Sequence, residues 1–238
     1  MVVQTALRVL LVSVLWVGAC AGPAQVGVAS EARDGAWVDL SSGLRVDRVS
    51  RTVAVRAWVC LDRGWLEQVL CLPGTREHES LLVTDVVPST LHAALLVVGL
   101  EPGRPGQWVE DEGAVVLTPP LGDQVEISVR YLAPDSQSPI ERNITEWIAD
   151  VNTGEVHPRT PWIFSGSLTH EIIERGSTYA ADHSGSIIGL VTFGDELLGA
   201  VEVIPDAEAI HAPEWVVRTE AVPPVGTEVQ VLLSPAMR

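Results

Sequence analysis

The run Ser89–Val98 constrains this chain more than any other stretch, because it is almost free of polar side chains and punctuated at both ends. Ser89 can accept a backbone N–H as a cap, and Pro88 before it discourages an earlier helical start. Gly99 supplies the left-handed residue that closes a helix at low cost, and Pro102 bars continuation. Leu91, Ala94, Leu95 and Val98 form one stripe, while Ala93, Leu96 and Val97 fill the other sides. A helix apolar all round is a buried helix. This one falls short of the about 20 residues a membrane span requires. The pattern predicts a helix over about 89–98, sunk in the core against a sheet.

The rest of the chain reads largely as β. Trp37–Leu40 and Leu44–Val46 alternate around a Ser-Ser-Gly turn, and Val53–Val59 alternates more plainly. Gly113–Pro120 and Gln124–Leu132 predict an antiparallel pair about Leu121-Gly122-Asp123. Val125, Ile127, Val129 and Tyr131 would share one face of it. Ile140, Ile144, Trp147 and Ile148 have helical spacing, and Glu228–Leu233 reads as a last strand. The expected class is α+β: a mostly antiparallel sheet, one buried central helix at about 89–98, and a short second helix.

The amino end carries a targeting pattern. Arg8 precedes the apolar run Val9–Val17, then Gly18 and Ala19. Val17-Gly18-Ala19-Cys20 resembles a lipobox, in which Cys20 is lipidated and becomes the mature terminus. The alternative is cleavage at Ala19-Cys20-Ala21, which would leave a soluble periplasmic protein. The organisation expected is a lipoprotein-type signal peptide over 1–19, a small polar tether over 20–34, and one β-rich domain over 35–238 with a C-terminal strand extension. The protein would then face the periplasm, held to a membrane by its lipid anchor. A formal charge of −16, with 31 acidic against 15 basic residues, argues against nucleic acid as a partner. An envelope protein or glycan remains as the partner class.

Cys60 and Cys71 flank a predicted hairpin, Val53–Cys60 returning as Trp65–Leu72 through Asp62-Arg63-Gly64. In neighbouring antiparallel strands they could form a disulfide; otherwise they are two buried thiols. His78, between Glu77 and Glu79, could act as a base or join His92 on a metal. However, His78-Glu79-Ser80-Leu81-Leu82 lacks the second histidine of a zinc helix. His92 stands in the apolar helix, where a buried imidazole needs a hydrogen-bond partner. His170 and Glu174 would share a face if helical, as a minimal metal pair. Asp182-His183-Ser184 predicts a turn rather than a triad, since triads are assembled from distant positions. No nucleophile elbow or glycine-rich phosphate cradle is present, and no cofactor is implied. Of the eight tryptophans, the seven of the mature chain (Trp37, Trp58, Trp65, Trp108, Trp147, Trp162 and Trp215) serve either as core bulk or as a glycan-stacking platform.

Cys71–Leu81, CLPGTREHESL, followed by PSTLHAALLVVGLEPG, resembles the YdjY-type domain of exported bacterial proteins over roughly residues 45–205. Trp162 with its Phe-Ser-Gly-Ser run, and Tyr179–Gly185, resemble further segments of that family. The resemblance implies no established activity. Some relatives are linked with iron–sulfur proteins, but the 3 cysteines here cannot furnish four thiolates. The reading that follows is a membrane-tethered binding or interaction module. The alternative is a metal-dependent or acid–base hydrolase of an envelope polymer, using His78, Glu79 and His92.

Overall fold

The computed structural model describes residues 37–133, 136–172 and 176–236. Strands β1 (Val38–Ser41) and β2 (Leu44–Asp47) turn at Gly43, whose φ of +78° is a conformation suited to glycine. β2 returns along β3 (Thr52–Val59). Asp47 closes that turn, its carboxylate accepting Val49 N–H at 2.8 Å and the Ser50 hydroxyl at 2.7 Å. The chain then leaves β3. β4 (Gln68–Cys71) runs parallel to β5 (Ser80–Val83), and β5 also pairs with the end of β3.

Helix α1 (Pro88–Val97) leads to β6 (Pro102–Arg104), the hairpin of β7 (Gln107–Asp111) with β8 (Ala114–Thr118), and β9 (Leu121–Gly122), which pairs β6. β10 (Gln124–Tyr131) and β11 (Ile140–Asn143) are antiparallel neighbours, followed by a 3-10 turn and β12 (Ile148–Asp150). β13 (Trp162–Phe164) precedes the hairpin of β14 (Thr169–Ile172) and β15 (Gly176–Tyr179), then α2 (Ala180–Ser184). β16 (Ser186–Gly189), β17 (Leu198–Gly199), β18 (Trp215–Val217) and β19 (Glu228–Pro235) complete the order.

Eight of these strands close on themselves in the order β3, β19, β10, β13, β17, β16, β4, β5 and back to β3 through Trp58↔Val83. Most neighbours are antiparallel; β16–β17 and β4–β5 are parallel. Alternation does the rest of the work. Leu44, Val55, Val231 and Val129 face one another across four adjacent strands, as do Val46, Val53, Leu233 and Ile127. All eight are buried.

This overturns the expected α+β class. Among the described residues the protein is mostly β, with 43% strand and 11% helix, and those residues form a closed barrel with two helices rather than a sheet around a central one. The reason is that a small barrel fills its own interior with strand side chains and leaves no place for a helix there. α1 is accordingly one-sided: Leu91, Ala94 and Leu95 are buried, whereas Leu96 and Val97 are 47% and 43% exposed. Its end is closed as expected, since Gly99 N–H donates to Leu96 O and Leu100 N–H to Leu95 O, at 2.9 and 3.1 Å. Its start differs. Val87 is the cap, Pro88 takes the first helical position, and Ser89 offers its N–H to Asp182 Oδ1 at 2.8 Å.

The second helix also lies elsewhere. Ile140–Ile148 is strand β11, a single 3-10 turn and the start of β12, because Ile140–Asn143 pairs along β10. Asn143 caps that turn, accepting Thr145 N–H at 3.0 Å. The short helix is α2, ended by Gly185 at φ +76°. The predicted partner of Gln124–Leu132 is corrected as well: β8 pairs β7. Among the described residues no helix is long and apolar enough to cross a membrane.

The one-sided helix makes a direct prediction. Leu95→Ala should destabilise the protein by about 2–5 kcal/mol in chemical denaturation, and Leu96→Ala by under about 0.5 kcal/mol. Equal costs would restore the all-round buried helix.

Candidate functional site

β12 and β18 form a separate two-stranded ribbon, pairing Asp150 with Trp215 and Ile148 with Val217. Trp215 is fixed from its other side too, its carbonyl accepting Leu66 N–H at 2.9 Å. Its indole is only 8% exposed, and it forms a wall shared by two chambers, of about 520 and 290 Å³. Ile204 and Glu214 also line both.

The larger chamber is bounded by the proline-bearing loop after β12. That loop carries His157, whose N–H donates to Ile148 O at 2.9 Å. The ring lies 4.4 Å from the Trp215 ring centre and stacks nearly parallel on Trp162 at 6.3 Å. His157 Nδ1 is 2.7 Å from Pro158 O. A carbonyl only accepts, so Nδ1 carries the proton and Nε2 presents a lone pair. Burial lowers the imidazole's pKa, against the hydrogen bond to Pro158 and the fields of Glu214 and Glu202, and favours the neutral form. Asp150, Glu155, Glu202 and Glu214 supply the carboxylates of this chamber.

The smaller chamber holds Glu67, Glu79, Asp206 and Glu208, with Trp65 and His211. Glu67 and Glu79 are brought side by side by the backbone, Glu67 N–H donating to Glu79 O at 2.9 Å. Burial, the hydrogen bond to Glu79 and its charge push the Glu67 carboxyl up to about 7, while Arg76 at 3.5 Å opposes them. Glu67 is therefore held in its protonated form to higher pH than an isolated carboxyl. Arg76 is itself stacked over Phe193, 3.8 Å from the ring centre. His211 Nε2 lies 3.4 Å from Glu214 Oε2. Among the described residues no arginine lines either chamber, Arg76 reaching the cleft only through its pair with Glu67. The cleft therefore concentrates negative potential between low-dielectric walls.

The residues singled out from sequence divide between this cleft and another place. Glu79 belongs to the smaller chamber. His78 sits beside it on a 3-10 turn, exposed, with Nε2 3.7 Å from Glu79 Oε2. His92 stands apart. Its Nδ1 is 2.8 Å from the Tyr179 hydroxyl, which donates to Gly166 O at 2.8 Å, so His92 donates to Tyr179. Burial lowers the pKa of His92, which meets Phe164 edge-on at 5.0 Å. It ties α1 to the end of β13 and to β15.

Around it the family-like segments converge. Ser89 bonds Asp182, Leu72 N–H donates to Gly185 O at 3.1 Å, and any Cβ on Gly185 would strike Thr75 at 2.6 Å. These segments form a structural joint in which Asp182 caps α1, not a triad. His183 is exposed on α2.

His170 lies in strand β14 opposite Thr178; Glu174 falls outside the described residues, as does Cys20. No group of three metal-ligating side chains occurs among the described residues. Cys60 and Cys71 are both free thiols. The predicted facing hairpin is corrected by topology: β5 lies between β3 and β4. Two strand spacings of about 4.8 Å separate the cysteine backbones by roughly 10 Å, beyond the about 7 Å reach of a disulfide. Cys60 instead donates to Ser80 O at 3.1 Å.

Sequence reasoning missed Glu67, His157, Glu202 and Glu214, and weighed Trp215 only as one of the tryptophans. Each is unremarkable in its own stretch, and nothing local marks them as neighbours. Trp147 and Trp162 proved to be core residues, as the reading of tryptophan as bulk expects.

The sequence model of the YdjY domain matches residues 44–234. No curated protein and no solved structure matches the chain.

Two outcomes are expected. Thiol titration of the purified protein, denatured without reductant, should count both Cys60 and Cys71 as free; a count near zero would overturn the strand order. The second concerns Glu67, whose folded value of about 7 lies above the ordinary 4.5. A raised carboxyl contributes stability that is complete below the unfolded value and is lost as pH rises through the folded one. Thermal melts should therefore show the native protein losing stability relative to Glu67→Gln between about pH 4.5 and 7. A difference that does not vary with pH would refute the raised Glu67 carboxyl.

Proposed function

The chain belongs to the YdjY domain family, and from that premise we propose that it is a membrane-tethered binding module of the cell envelope whose ligand site is the cleft around Trp215. Two adjoining, preformed chambers of about 520 and 290 Å³ carry this reading. They combine apolar walls with a few convergent polar groups, as small-ligand sites do. Support for a non-catalytic role comes from the scatter of the sequence candidates, since His92 is engaged in the joint with Tyr179 and Gly166. The tether rests on Val17-Gly18-Ala19-Cys20, with residues 20–34 spacing the domain from the bilayer.

A second reading, acid–base hydrolysis of an envelope polymer, is favoured by one observation. A carboxyl raised to about 7 beside a second carboxylate suits general acid–base work. It would rest on Glu67 and Glu79 rather than on His78 and His92.

Mass spectrometry of the mature amino terminus tests the tether. A diacylglyceryl group on Cys20 is expected, and an unlipidated terminus created by cleavage after Ala21 would remove it. Thermal shift against cations, anions and neutral glycans tests the binding module. At least one ligand should raise Tm in the native protein and do so less in a Glu202→Gln, Glu214→Gln double variant. No shift from any class would overturn the reading. Chain cleavage of an isolated envelope polymer, abolished by Glu67→Gln, would favour the hydrolase instead.

A further inference from the structure

We infer that the larger chamber is a subsite for an alkyl cation, an ammonium or guanidinium carried on an apolar stem. This rests on the cleft being the ligand site. The first observation is His157, which is nine-tenths buried at 8% exposure and lines the chamber. Its Nδ1–H is spent on Pro158 O. Its Nε2 has no hydrogen-bond partner among the described residues, yet it is not among their sealed, unpartnered atoms. It is a buried acceptor left open to the chamber.

The second observation is that carboxylates share that space: Glu155, Glu202 and Glu214, with Asp150, whose Oδ1 already accepts Asn152 N–H at 2.7 Å. A group matched to several carboxylates and the imidazole acceptor at once is a positive one rich in donors, such as an ammonium or a guanidinium. Anions are repelled by the same carboxylates. A bare divalent ion is poorly served, because no three metal-ligating side chains converge among the described residues.

The remaining walls select an organic ligand over a hydrated ion. Pro161, Leu190, Ala200 and Ile204 offer apolar surface to a stem, and Trp215 offers an indole. The volume of about 520 Å³ is within the range of small-molecule sites. A free polyamine and a basic side chain of a partner protein present the same chemistry.

Isothermal titration of the full mature protein at low salt, with spermidine and with an oligolysine peptide, decides between them and tests the inference. Glutarate and magnesium chloride serve as anionic and inorganic controls. At least one cation should bind with unit stoichiometry, and Glu202→Gln should weaken it about tenfold. His157→Phe keeps the ring stack but removes Nε2, and should weaken binding to a similar degree. Glu202→Gln protects the test should the histidine variant fold poorly, with unchanged melting as its control. Binding of spermidine alone identifies a free amine, and binding of oligolysine alone identifies a basic partner.

Absence of heat with both cations overturns the inference. Affinity unchanged in Glu202→Gln also overturns it. If glutarate or a neutral glycan binds while the cations do not, the cation subsite falls and the binding module stands. If no ligand of any class binds, both fall.

Discussion

The structure depends on the insertion of β19 between β3 and β10. Val231 meets Val55 on one side and Val129 on the other, and Leu233 meets Val53 and Ile127 in the same way. All six side chains are buried. Fully burying such a side chain is worth about 1.5–3 kcal/mol, so these rows are among the larger local contributions to the fold. They also join the first third of the chain to its last residues. Without them β3 keeps only its short contacts with β2 and β5, and the barrel does not close.

Closure determines where the cleft can be. Barrel strands such as β13, β16 and β17 are only a few residues long, so the connections that leave them are long relative to the strands. The loop after β12 and the segment around Ile204 line the larger chamber together. The β12–β18 ribbon anchors that lining, because Trp215 is held by pairing to Asp150 and by a bond to Leu66 from the opposite direction. The apolar core ends at Trp215, and the carboxylates begin there.

Buried carboxyl groups serve two ends in this protein. Glu196 is 1% exposed, yet it accepts N–H bonds from Gly194 at 2.8 Å and Asp195 at 3.1 Å, and burial pushes it up to about 7. Its work is local: it holds a turn. Glu67 has a similar shift, again chiefly from burial, but with a second carboxyl, Glu79, adding to it in an open chamber. Placing like charges together costs stability, and a fold tolerates that most readily where a ligand or proton relieves it. The same logic separates His157 from His92. Burial favours the neutral form of both, His157 buried and His92 half-buried, but His92 is locked into a joint while His157 keeps an acceptor open.

What the sequence determined by itself is everything decided within a few residues. The period-two alternation of Val53–Val59 and of Val125–Val129, the left-handed turns at Gly43 and Gly99, and the extent of α1 were legible because backbone sterics and side-chain alternation act locally. The acidic character was legible from composition. Tertiary structure alone decided that β5 separates Cys60 from Cys71, that α1 buries one face only, and that Glu67, His157, Glu214 and Trp215 gather in one cleft. The physical reason is that an apolar strand face fits many partners equally well. Which one it takes is settled by the burial shared across the closed barrel, a sum over distant residues that no single stretch contains.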